Sequence, residues 1–430
     1  MSDRLPLTLR GYRRLTRSVT PLAPILLSHR LKIGKEHPER VGERRGQTAI
    51  PRPEGPLVWA HGASVGEILA LIPLLERIHG RGFALLVTSG TVTSADVAEQ
   101  RLPEGVIHQF APFDFPLYIE RFLNHWRPDL ALFAESDLWP NLILGAAKRS
   151  VPLILVNGRV SKRSFARWRR APATIAALLE RFDLCLAQSS EDAEKLDQLG
   201  APRVRLTGNL KLDSPAPPAD EENLAALSAA INGRPVIAAA STHPGEESEM
   251  IEVHSRLRQR FPGLLTILAP RHPERGIGVV EIASVAGLPA VVRSRGFLPG
   301  RDTDIYVADT MGELGLLYRV APIVFMGGSL VRHGGQNPIE AAKLGTAILH
   351  GPHVWNFAEI YSALDEAHGA EQVGDAGKLA ACASVWLADG ARRRAAADSA
   401  FKTVEDLGGA LDRTLAALEP YLMQFHLAQA

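Results

Sequence analysis

The 430-residue sequence has only two cysteines, Cys185 and Cys382, far apart in separate apolar segments. Such usage excludes a disulfide framework and a thiolate metal site, and it fits a reducing, cytoplasmic setting. Long apolar runs are lacking as well. The most apolar stretch near the amino terminus, residues 19–27, spans nine residues with two prolines, whereas a membrane-spanning helix needs about 20 apolar residues. We therefore expect neither a membrane-spanning helix nor a secretory signal.

The net charge of +1 lacks the excess typical of proteins that bind polyanions, so we predict no nucleic acid partner. The charge is unevenly distributed, however. Residues 1–45 hold eleven Lys or Arg against four acids, a local excess of seven positive charges. Interleaved with Leu and Tyr, these cations are typical of a segment that rests on an anionic membrane surface. The alternative is a basic helix that packs on the protein body.

Familiar catalytic motifs are also missing. Neither the GxSxG nucleophile motif nor the P-loop pattern occurs. Asp302 and Asp304 form a triplet that resembles a metal-nucleotide motif, but it precedes a predicted strand instead of following one. His350 and His353 flank a Gly-Pro pair, unlike the helical histidine spacing of zinc enzymes. We therefore predict no metal site and no cofactor.

From residue 56 onward, short apolar runs alternate with segments of helical period. Alternating strands and helices predict right-handed crossovers and a parallel sheet covered on both faces. The pattern breaks in a stretch rich in proline and acidic residues after residue 212 and then restarts. The runs with strand character are LVWAH, FALLVTSG, GVIHQFAP, DLALFAES, VPLILVNG, FDLCLAQS, VRLTGNL, PVIAAAST, LLTILAP, PAVVRSR, DIYVADT, APIVFMGG and TAILHGP.

This pattern predicts an α/β protein of two Rossmann-like, doubly wound parallel-sheet domains that face a cleft, since open parallel sheets bind ligands at the carboxyl ends of their strands. The predicted parts are a basic segment (1–45), a first domain (46–213), a linker (214–232), a second domain (233–408) and a carboxy-terminal helix (409–430) placed to pack across the junction.

The first predicted strand ends in GASVGE, residues 62–67. Small residues there form a tight strand-to-helix turn, and Glu67 begins the next helix. A carboxylate in this place can serve as general base for a hydroxyl nucleophile, which must lose its proton in the transition state. The alternative is that Glu67 only complements the helix dipole. Glu135, in ESDLWPN after another strand, is a candidate to orient an acceptor or to tune the basicity of Glu67. For Asp137, in the same motif, the alternative interpretation is a helix cap.

The second domain carries GGSLVRHGGQNPIE, residues 327–340. Its glycines permit close backbone approach, Asn337 suits an N-cap and Pro338 suits the first helical turn. Free amides and the helix dipole would then offer an anion site. Glu340 would either close a capping box or accept hydrogen bonds from ribose hydroxyls. With the upstream loop ADTMGELGLLY, these residues predict a nucleotide pocket.

Basic loops also follow several predicted strands. Cations at strand ends suit an anionic donor, through its phosphate or a sugar carboxylate. Any one of them is also a common solvated surface charge. The candidates are Arg159 and Lys162 in NGRVSKRS, Lys211 in GNLKLD, and Arg271 and His272 in APRHPER.

Seven motifs of the sequence resemble, in the same order, those of the Kdo transferases, which are lipid A-modifying glycosyltransferases of Gram-negative bacteria. The motifs are GASVGE, ESDLWPN, NGRVSKRS, GNLKLD, STHPGEE, APRHPER and GGSLVRHGGQNPIE. The resemblance runs from about residue 31 into the last hundred residues. It implies a GT-B fold and metal-free transfer of Kdo, 3-deoxy-D-manno-octulosonic acid, from CMP-Kdo to a lipid A precursor, with inversion at the anomeric carbon. It also implies that Glu67 is the base and that Glu135 is a second essential carboxylate.

The resemblance further implies that the first domain binds the acceptor, that the second binds the CMP-sugar, and that the enzyme works on the cytoplasmic face of the inner membrane. At Arg332 and Gln336 the chain departs from the family, which commonly has proline and histidine there. Two other hypotheses stay open: a UDP-sugar enzyme of the same architecture, either a 2-epimerase or a hexosaminyltransferase, and a catalytically idle scaffold. The implied CMP contacts are Arg271, His272, Met311, Gly312, Glu313, Gly328, Ser329, Asn337 and Glu340.

Overall fold

The computed structural model describes residues 5–427, which form two compact units. The first unit comprises the chain up to Ser214 together with the chain from Gly408 onward, and the second runs from Pro215 to Leu407. Each unit contains one seven-stranded parallel sheet, so the predicted fold class of two parallel-sheet α/β domains is confirmed. Asp3 and Arg4 of the predicted basic segment lie outside the described residues.

Within residues 5–427 the strands are β1 (Leu57–Gly62), β2 (Ala84–Ser89), β3 (Ile107–Phe110), β4 (Leu130–Ala134), β5 (Leu153–Gly158), β6 (Leu184–Ala187), β7 (Val204–Leu206), β8 (Val236–Thr242), β9 (Leu265–Pro270), β10 (Ala290–Val292), β11 (Ile305–Val307), β12 (Ile323–Met326), β13 (Ala347–His350) and β14 (Ala370–Gln372).

The α-helices of the same residues are α1 (Leu7–Val19), α2 (Ala23–Lys32), α3 (Val41–Arg44), α4 (Val65–His79), α5 (Val92–Arg101), α6 (Pro116–Trp126), α7 (Pro140–Lys148), α8 (Lys162–Trp168), α9 (Pro172–Leu179), α10 (Ser190–Gln198), α11 (Glu221–Ile231), α12 (Glu246–Leu257), α13 (Gly276–Val285), α14 (Leu314–Val320), α15 (Ile339–Lys343), α16 (Ala358–Glu366), α17 (Ala376–Ala388), α18 (Gly390–Asp406) and α19 (Ala410–Leu427).

The first sheet has the strand order β3-β2-β1-β4-β5-β6-β7, with all neighbours parallel. Its strands are apolar on both faces because helices cover both sides. Trp59 of β1 is fully buried between Phe122 and Phe133, at ring-centroid distances of 5.1 and 5.2 Å. Its indole N–H donates to Thr88 Oγ1 at 2.9 Å, so burial of the ring leaves no polar atom unpaired. Burying one such side chain contributes about 2 to 3 kcal/mol.

The amino-terminal helices combine a packed face with an exposed one. Leu9 and Leu27 are each 1% exposed and anchor α1 and α2 on the first unit. On the other face, Leu7, Leu15 and Ile25 are 80%, 62% and 69% exposed. No helix within residues 5–427 combines the length and apolarity that crossing a bilayer requires.

The carboxy-terminal helix α19 belongs to the first unit. Leu418 and Leu422 are buried in the same apolar cluster as Leu74 and Leu75 of α4. Asp213 receives the backbone N–H groups of Gly409 and Leu411, both at 2.6 Å. A carboxylate that accepts two amides at the start of a helix stabilises it electrostatically and holds it in place.

The second sheet has the order β10-β11-β9-β8-β12-β13-β14, again with all neighbours parallel. β8 and β12 are central neighbours, and they approach so closely that a Cβ on Gly327, just after β12, would collide with the backbone at Ser241. This glycine is therefore required by strand packing. The loops that carry the predicted donor contacts follow β9, β11 and β12 at the carboxyl edge of this sheet.

Candidate active site

The loops after β1 and β4 leave the first sheet where its connections change direction. β1 leads through α4 to β2 on one side, and β4 leads through α7 to β5 on the other. Loops that diverge in this way leave a crevice at the carboxyl edge, which is where open parallel sheets bind ligands. Glu67 follows β1 and Glu135 follows β4, so both predicted carboxylates lie at this edge.

Glu67 lies in the first turn of α4, where local hydrogen bonds fix its carboxylate. Oε2 accepts a hydrogen bond from the Ala63 amide and Oε1 accepts one from the Ser64 hydroxyl, both at 2.8 Å. The side chain is partly exposed and not sealed in the core. The helix-terminus and general-base interpretations are compatible, because each carboxylate oxygen retains a lone pair for a further proton.

The pKa of Glu67 is raised, first by burial and then by the negative charge of Glu135. Asp137 adds to the shift, whereas the hydrogen bonds from Ala63 and Ser64 oppose it. A raised pKa makes a carboxylate a stronger base, provided that it is ionised at the working pH. The two predicted carboxylates are therefore electrostatically coupled.

Glu135 adopts a φ of +55°, a left-handed conformation that is strained for a residue with a Cβ. Its N–H donates to the Val156 carbonyl at 3.0 Å, which ties the turn to β5. Its Oε1 accepts a hydrogen bond from Lys211 Nζ at 2.6 Å in a largely buried ion pair. Lys211, predicted to contact an anion of the donor, has this carboxylate as its partner in the structure.

Asp137 does not cap a helix, so that alternative interpretation is wrong. α7 begins at Pro140 without a side-chain cap, and Asp137 Oδ2 instead accepts a hydrogen bond from Trp139 Nε1 at 2.7 Å and lies 3.1 Å from His61 Nε2. Burial raises the pKa of Asp137, but the contacts with His61 and Trp139 outweigh burial and lower it. Asp137 is therefore held in place by His61 and Trp139, and its negative charge makes a small contribution to the raised pKa of Glu67.

Replacement of Lys211 by methionine should move the acidic limb of the activity profile to higher pH. A general base accepts a proton only when ionised, so on the general-base interpretation activity should fall as the pH drops through the raised pKa of Glu67. Without the Lys211 cation, the charge of Glu135 is uncompensated and raises the pKa of Glu67 further. The measurement is kcat/KM against pH, with Lys402→Met, an exposed cation of the second unit, as control. An unmoved limb would contradict the electrostatic link.

In the second unit, a buried carboxylate occupies the glycine-rich loop after β12. Glu246, the first residue of α12, is fully buried. Its Oε2 accepts the amides of His243 and Gly328 at 2.9 and 2.7 Å, and its Oε1 accepts those of Ser329 and Leu330, both at 3.0 Å. The prediction of free amides for an anion is therefore wrong for Gly328 and Ser329, because the protein supplies the anion itself.

The side chain of Ser329 is also structural. It is fully buried, and its hydroxyl donates to the Met326 carbonyl at 2.5 Å while accepting the Gly351 amide at 2.7 Å. These bonds join the ends of β12 and β13. Ser329 therefore shapes the loop and does not present its hydroxyl to a donor.

Histidines surround the predicted donor contacts Arg271 and His272, both of which are exposed. The His243 ring stacks on His333 at 3.8 Å and lies 6.3 Å from the His272 ring. Burial, followed by His333, His272 and Arg271, lowers the pKa of His243 to about 4. His243 is therefore neutral near pH 7, so Arg271 is the permanent cation of this group.

His243 and His333 were not predicted as site residues. Their signal in the sequence is position alone, in STHPGEE and VRHGGQ after β8 and β12. Gln336, which departs from the family pattern, places its Nε2 atom 2.9 Å from His243 Nε2. Gln336 thus fixes the orientation of the His243 ring, which lies beside the predicted phosphate contacts.

The Met311–Gly312–Glu313 turn follows β11 and combines an exposed side chain with a fixed one. Met311 is 58% exposed. Glu313 binds Arg293 in a bidentate ion pair of 2.6 and 2.5 Å and also accepts the Thr310 hydroxyl. Burial raises the pKa of Glu313, but these hydrogen bonds outweigh burial and lower it. Glu313 is therefore ionised and orders the turn.

Asn337 and Glu340 form a small polar pair at the start of α15. Asn337 Oδ1 accepts the Ile339 amide at 3.1 Å, and Asn337 Nδ2 donates to Glu340 Oε1 at 3.4 Å. Pro338, not Asn337, stands at the N-cap, and the predicted capping box is absent from these described residues. Burial raises the pKa of Glu340, and Asn337 opposes the shift. With only five residues, α15 has a weaker dipole than the prediction assumed.

Arg159 and Lys162 lie after β5, beside the strand that leads to Glu135. Lys162 is exposed and begins α8. Among residues 5–427, no group of three or more His, Cys, Asp or Glu side chains is placed to hold a metal ion.

Residues 39–214 match the family described as 3-deoxy-D-manno-octulosonic-acid transferase (kdotransferase). The chain is 37% identical over 370 residues to a probable mitochondrial 3-deoxy-D-manno-octulosonic acid transferase of Arabidopsis thaliana, covering 84% of this chain and 83% of the relative. It is 33% identical over 396 residues to the 3-deoxy-D-manno-octulosonic acid transferase of Haemophilus influenzae, covering 89% and 92%.

Among solved structures, the UDP-GlcNAc 2-epimerase of Neisseria meningitidis is similar, with a TM-score of 0.60 and 12% sequence identity. The match covers 85% of this chain and all of that one. At this identity the similarity concerns the fold alone.

Proposed function

The chain belongs to the Kdo transferase family and is a glycosyltransferase, and from this premise we propose that it moves Kdo from CMP-Kdo to a lipid A precursor, lipid IVA, with inversion at the anomeric carbon. Kdo transfer in lipopolysaccharide synthesis is the activity of this family. The acceptor, the stereochemistry and the base are our proposal.

The position and basicity of Glu67 carry the proposal. A carboxylate held by two hydrogen bonds, partly exposed at the carboxyl edge of the sheet, is suited to accept a proton from a bound hydroxyl. The acceptor hydroxyl oxygen bonds to the anomeric carbon of Kdo as its proton passes to Glu67. The bond between that carbon and the phosphate oxygen breaks, and CMP leaves with the electron pair. Direct attack on the face opposite CMP inverts the anomeric carbon.

Glu135 supports this base. Its ion pair with Lys211 and its strained backbone hold a negative charge near Glu67. Such strain is typical of functional sites, where the surrounding structure offsets about 1 to 3 kcal/mol. We assign Glu135 the tuning of Glu67 and the orientation of the acceptor.

The donor would bind at the carboxyl edge of the second sheet. Arg271 and His272 are exposed there and suit the phosphate, while Glu340 suits the ribose hydroxyls as an acceptor. The Met311–Gly312–Glu313 turn, Gly328 and Asn337 would surround the nucleotide. Because CMP leaves as a monophosphate, hydrogen bonds and one or two cations are sufficient to stabilise it without a divalent ion.

The enzyme would work at the cytoplasmic face of the inner membrane as a peripheral protein. α1 and α2 expose Leu7, Leu15 and Ile25 together with several cations. Apolar side chains enter the interface while each cation near an anionic leaflet contributes roughly 1 kcal/mol.

Incubation with CMP-Kdo and a lipid A precursor should give a product heavier by Kdo units, detected by mass spectrometry. We expect the same product with EDTA, because no step of the proposal uses a metal. Loss of the product with EDTA would contradict the metal-free mechanism.

A thermal-shift comparison tests the nucleotide. CMP should raise the melting temperature and UDP should not, since a ligand stabilises only the fold that binds it. The reverse result would favour a UDP-sugar enzyme, and no shift with either nucleotide would favour an idle scaffold.

A further inference from the structure

A groove of about 1040 Å³ lies in the first unit between the amino-terminal helices and α6 and α7. Its volume is at the upper end of the range of small-ligand pockets. Among the described residues that line it, Glu120 is the one acid, and the cations are Arg13, Arg17, Arg45, Arg121, Lys148 and Arg149.

Several of these cations lack the partners that neutralise their neighbours. In the same amino-terminal segment, Glu36 and Glu43 form ion pairs with three other arginines. Arg13, Arg17 and Lys148, by contrast, take part in none of the ion pairs found in residues 5–427. The neutralised arginines are Arg30, Arg40 and Arg44. Positive charge is therefore concentrated in the groove and left uncompensated there, as in an anion-binding site.

Two buried polar atoms of the groove also lack a hydrogen-bond partner within the described residues, Arg45 Nε and Asn141 Oδ1. Asn141 is 4% exposed, and its amide nitrogen donates to the Asp114 carbonyl at 2.6 Å, so its oxygen is fixed in place. Unpaired buried polar atoms are rare and costly without a ligand. Both atoms are shielded from solvent, so they fix the wall of the groove, and the exposed cations Arg13 and Arg17 are the groups that a ligand can reach.

One wall of the groove follows in sequence from the loop that carries Glu135, and the opposite wall adjoins exposed apolar side chains. Its α7 wall, which includes Asn141, follows directly after the loop that carries Glu135. On the opposite wall, Pro21 and Pro24 line the groove, and Leu22 between them is 59% exposed. A ligand in the groove would therefore lie against the helix that follows Glu135 on one side and beside a surface suited to acyl chains on the other.

The geometry points to this groove as the site for the phosphorylated sugar headgroup of the acceptor lipid. This inference rests on the proposed function. The exposed guanidinium groups of Arg13 and Arg17 bind the phosphate oxygens. A concave site lined by several cations fits a sugar phosphate, whereas bulk anionic phospholipids require only an exposed charged face.

A charge-matched pair of double variants tests the inference. R13Q/R17Q removes two cations of the groove, and R10Q/R14Q removes two exposed cations from the same helix at the same spacing but outside the groove. In neutral detergent micelles, R13Q/R17Q should raise the Kd for the phosphorylated acceptor about 20-fold while R10Q/R14Q leaves it unchanged. Dephosphorylated acceptor should bind weakly to the wild type and to both variants alike.

Vesicles of neutral phospholipid with 20% anionic phospholipid form the second arm, where both variants should lose equal affinity. Two results would overturn the inference in favour of bulk membrane charge. One is that both double variants lose equal affinity for the phosphorylated acceptor, and the other is that R13Q/R17Q loses affinity selectively for vesicles alone. The binding measurement needs no turnover. Failure of CMP-Kdo transfer with intact, phosphate-dependent acceptor binding would thus count against the proposed function and not against the groove.

Discussion

Replacement of Glu67 by glutamine should lower kcat for Kdo transfer about 1000-fold while CMP binding is retained. General base catalysis typically contributes about 100- to 10,000-fold, and glutamine cannot accept the proton. The Ala63 and Ser64 hydrogen bonds end on the two carboxylate oxygens, so the amide preserves one of them and the local fold. The measurements are steady-state transfer and CMP titration by calorimetry.

The matched control is Glu76→Gln, an exposed glutamate of the same helix α4. It removes the same charge from the same element, so its transfer rate should stay within about twofold of the wild type. A Glu67→Gln enzyme with near-normal kcat would remove this residue from the mechanism. A simultaneous loss of CMP binding would show a structural role instead.

Most strands of the fold can be predicted from apolar runs in the sequence, and the one described strand without such a run, β14, has a physical reason for it. Thirteen runs predicted strands, and β1 to β13 coincide with them. β14 was missed because this edge strand has only three residues, Ala370–Gln372, of which Glu371 and Gln372 are exposed. A strand that buries one side chain has no apolar signal, and its pairing with β13 depends on tertiary context.

The candidate site was only partly predictable for a different reason. Positions after strands are visible in the sequence, so Glu67, Glu135 and the glycine-rich loop were found. Partners distant in the chain are not visible. Lys211 is separated from Glu135 by 76 residues, and Glu246 from Gly328 by 82. The glycine-rich loop therefore predicted amides that are free to bind an anion, whereas in the structure the carboxylate of Glu246 accepts their hydrogen bonds.

Substitution of Glu246 by glutamine should have the largest effect on stability. The carboxamide oxygen of glutamine can accept only some of the hydrogen bonds that the four backbone N–H groups donate to Glu246. The NH2 group of glutamine would face the remaining backbone N–H groups, and two donors cannot pair. Leaving about two buried amides unsatisfied costs roughly 1 to 3 kcal/mol each, so we expect the second unit to lose about 3 to 5 kcal/mol. Urea unfolding followed by the fluorescence of the second unit's tryptophans measures this.

The control is Glu252→Gln on the same helix α12, where an exposed ion pair with Arg256 is worth under about 1 kcal/mol. Hydrogen exchange provides a local readout, because the amides of Gly328, Ser329 and Leu330 should lose protection only in Glu246→Gln. Since the same loop carries Gly328 and Asn337, CMP affinity should fall with that protection. Unchanged exchange at the three amides would mean that the carboxylate does not hold the loop, and the amides would again be open to a donor phosphate.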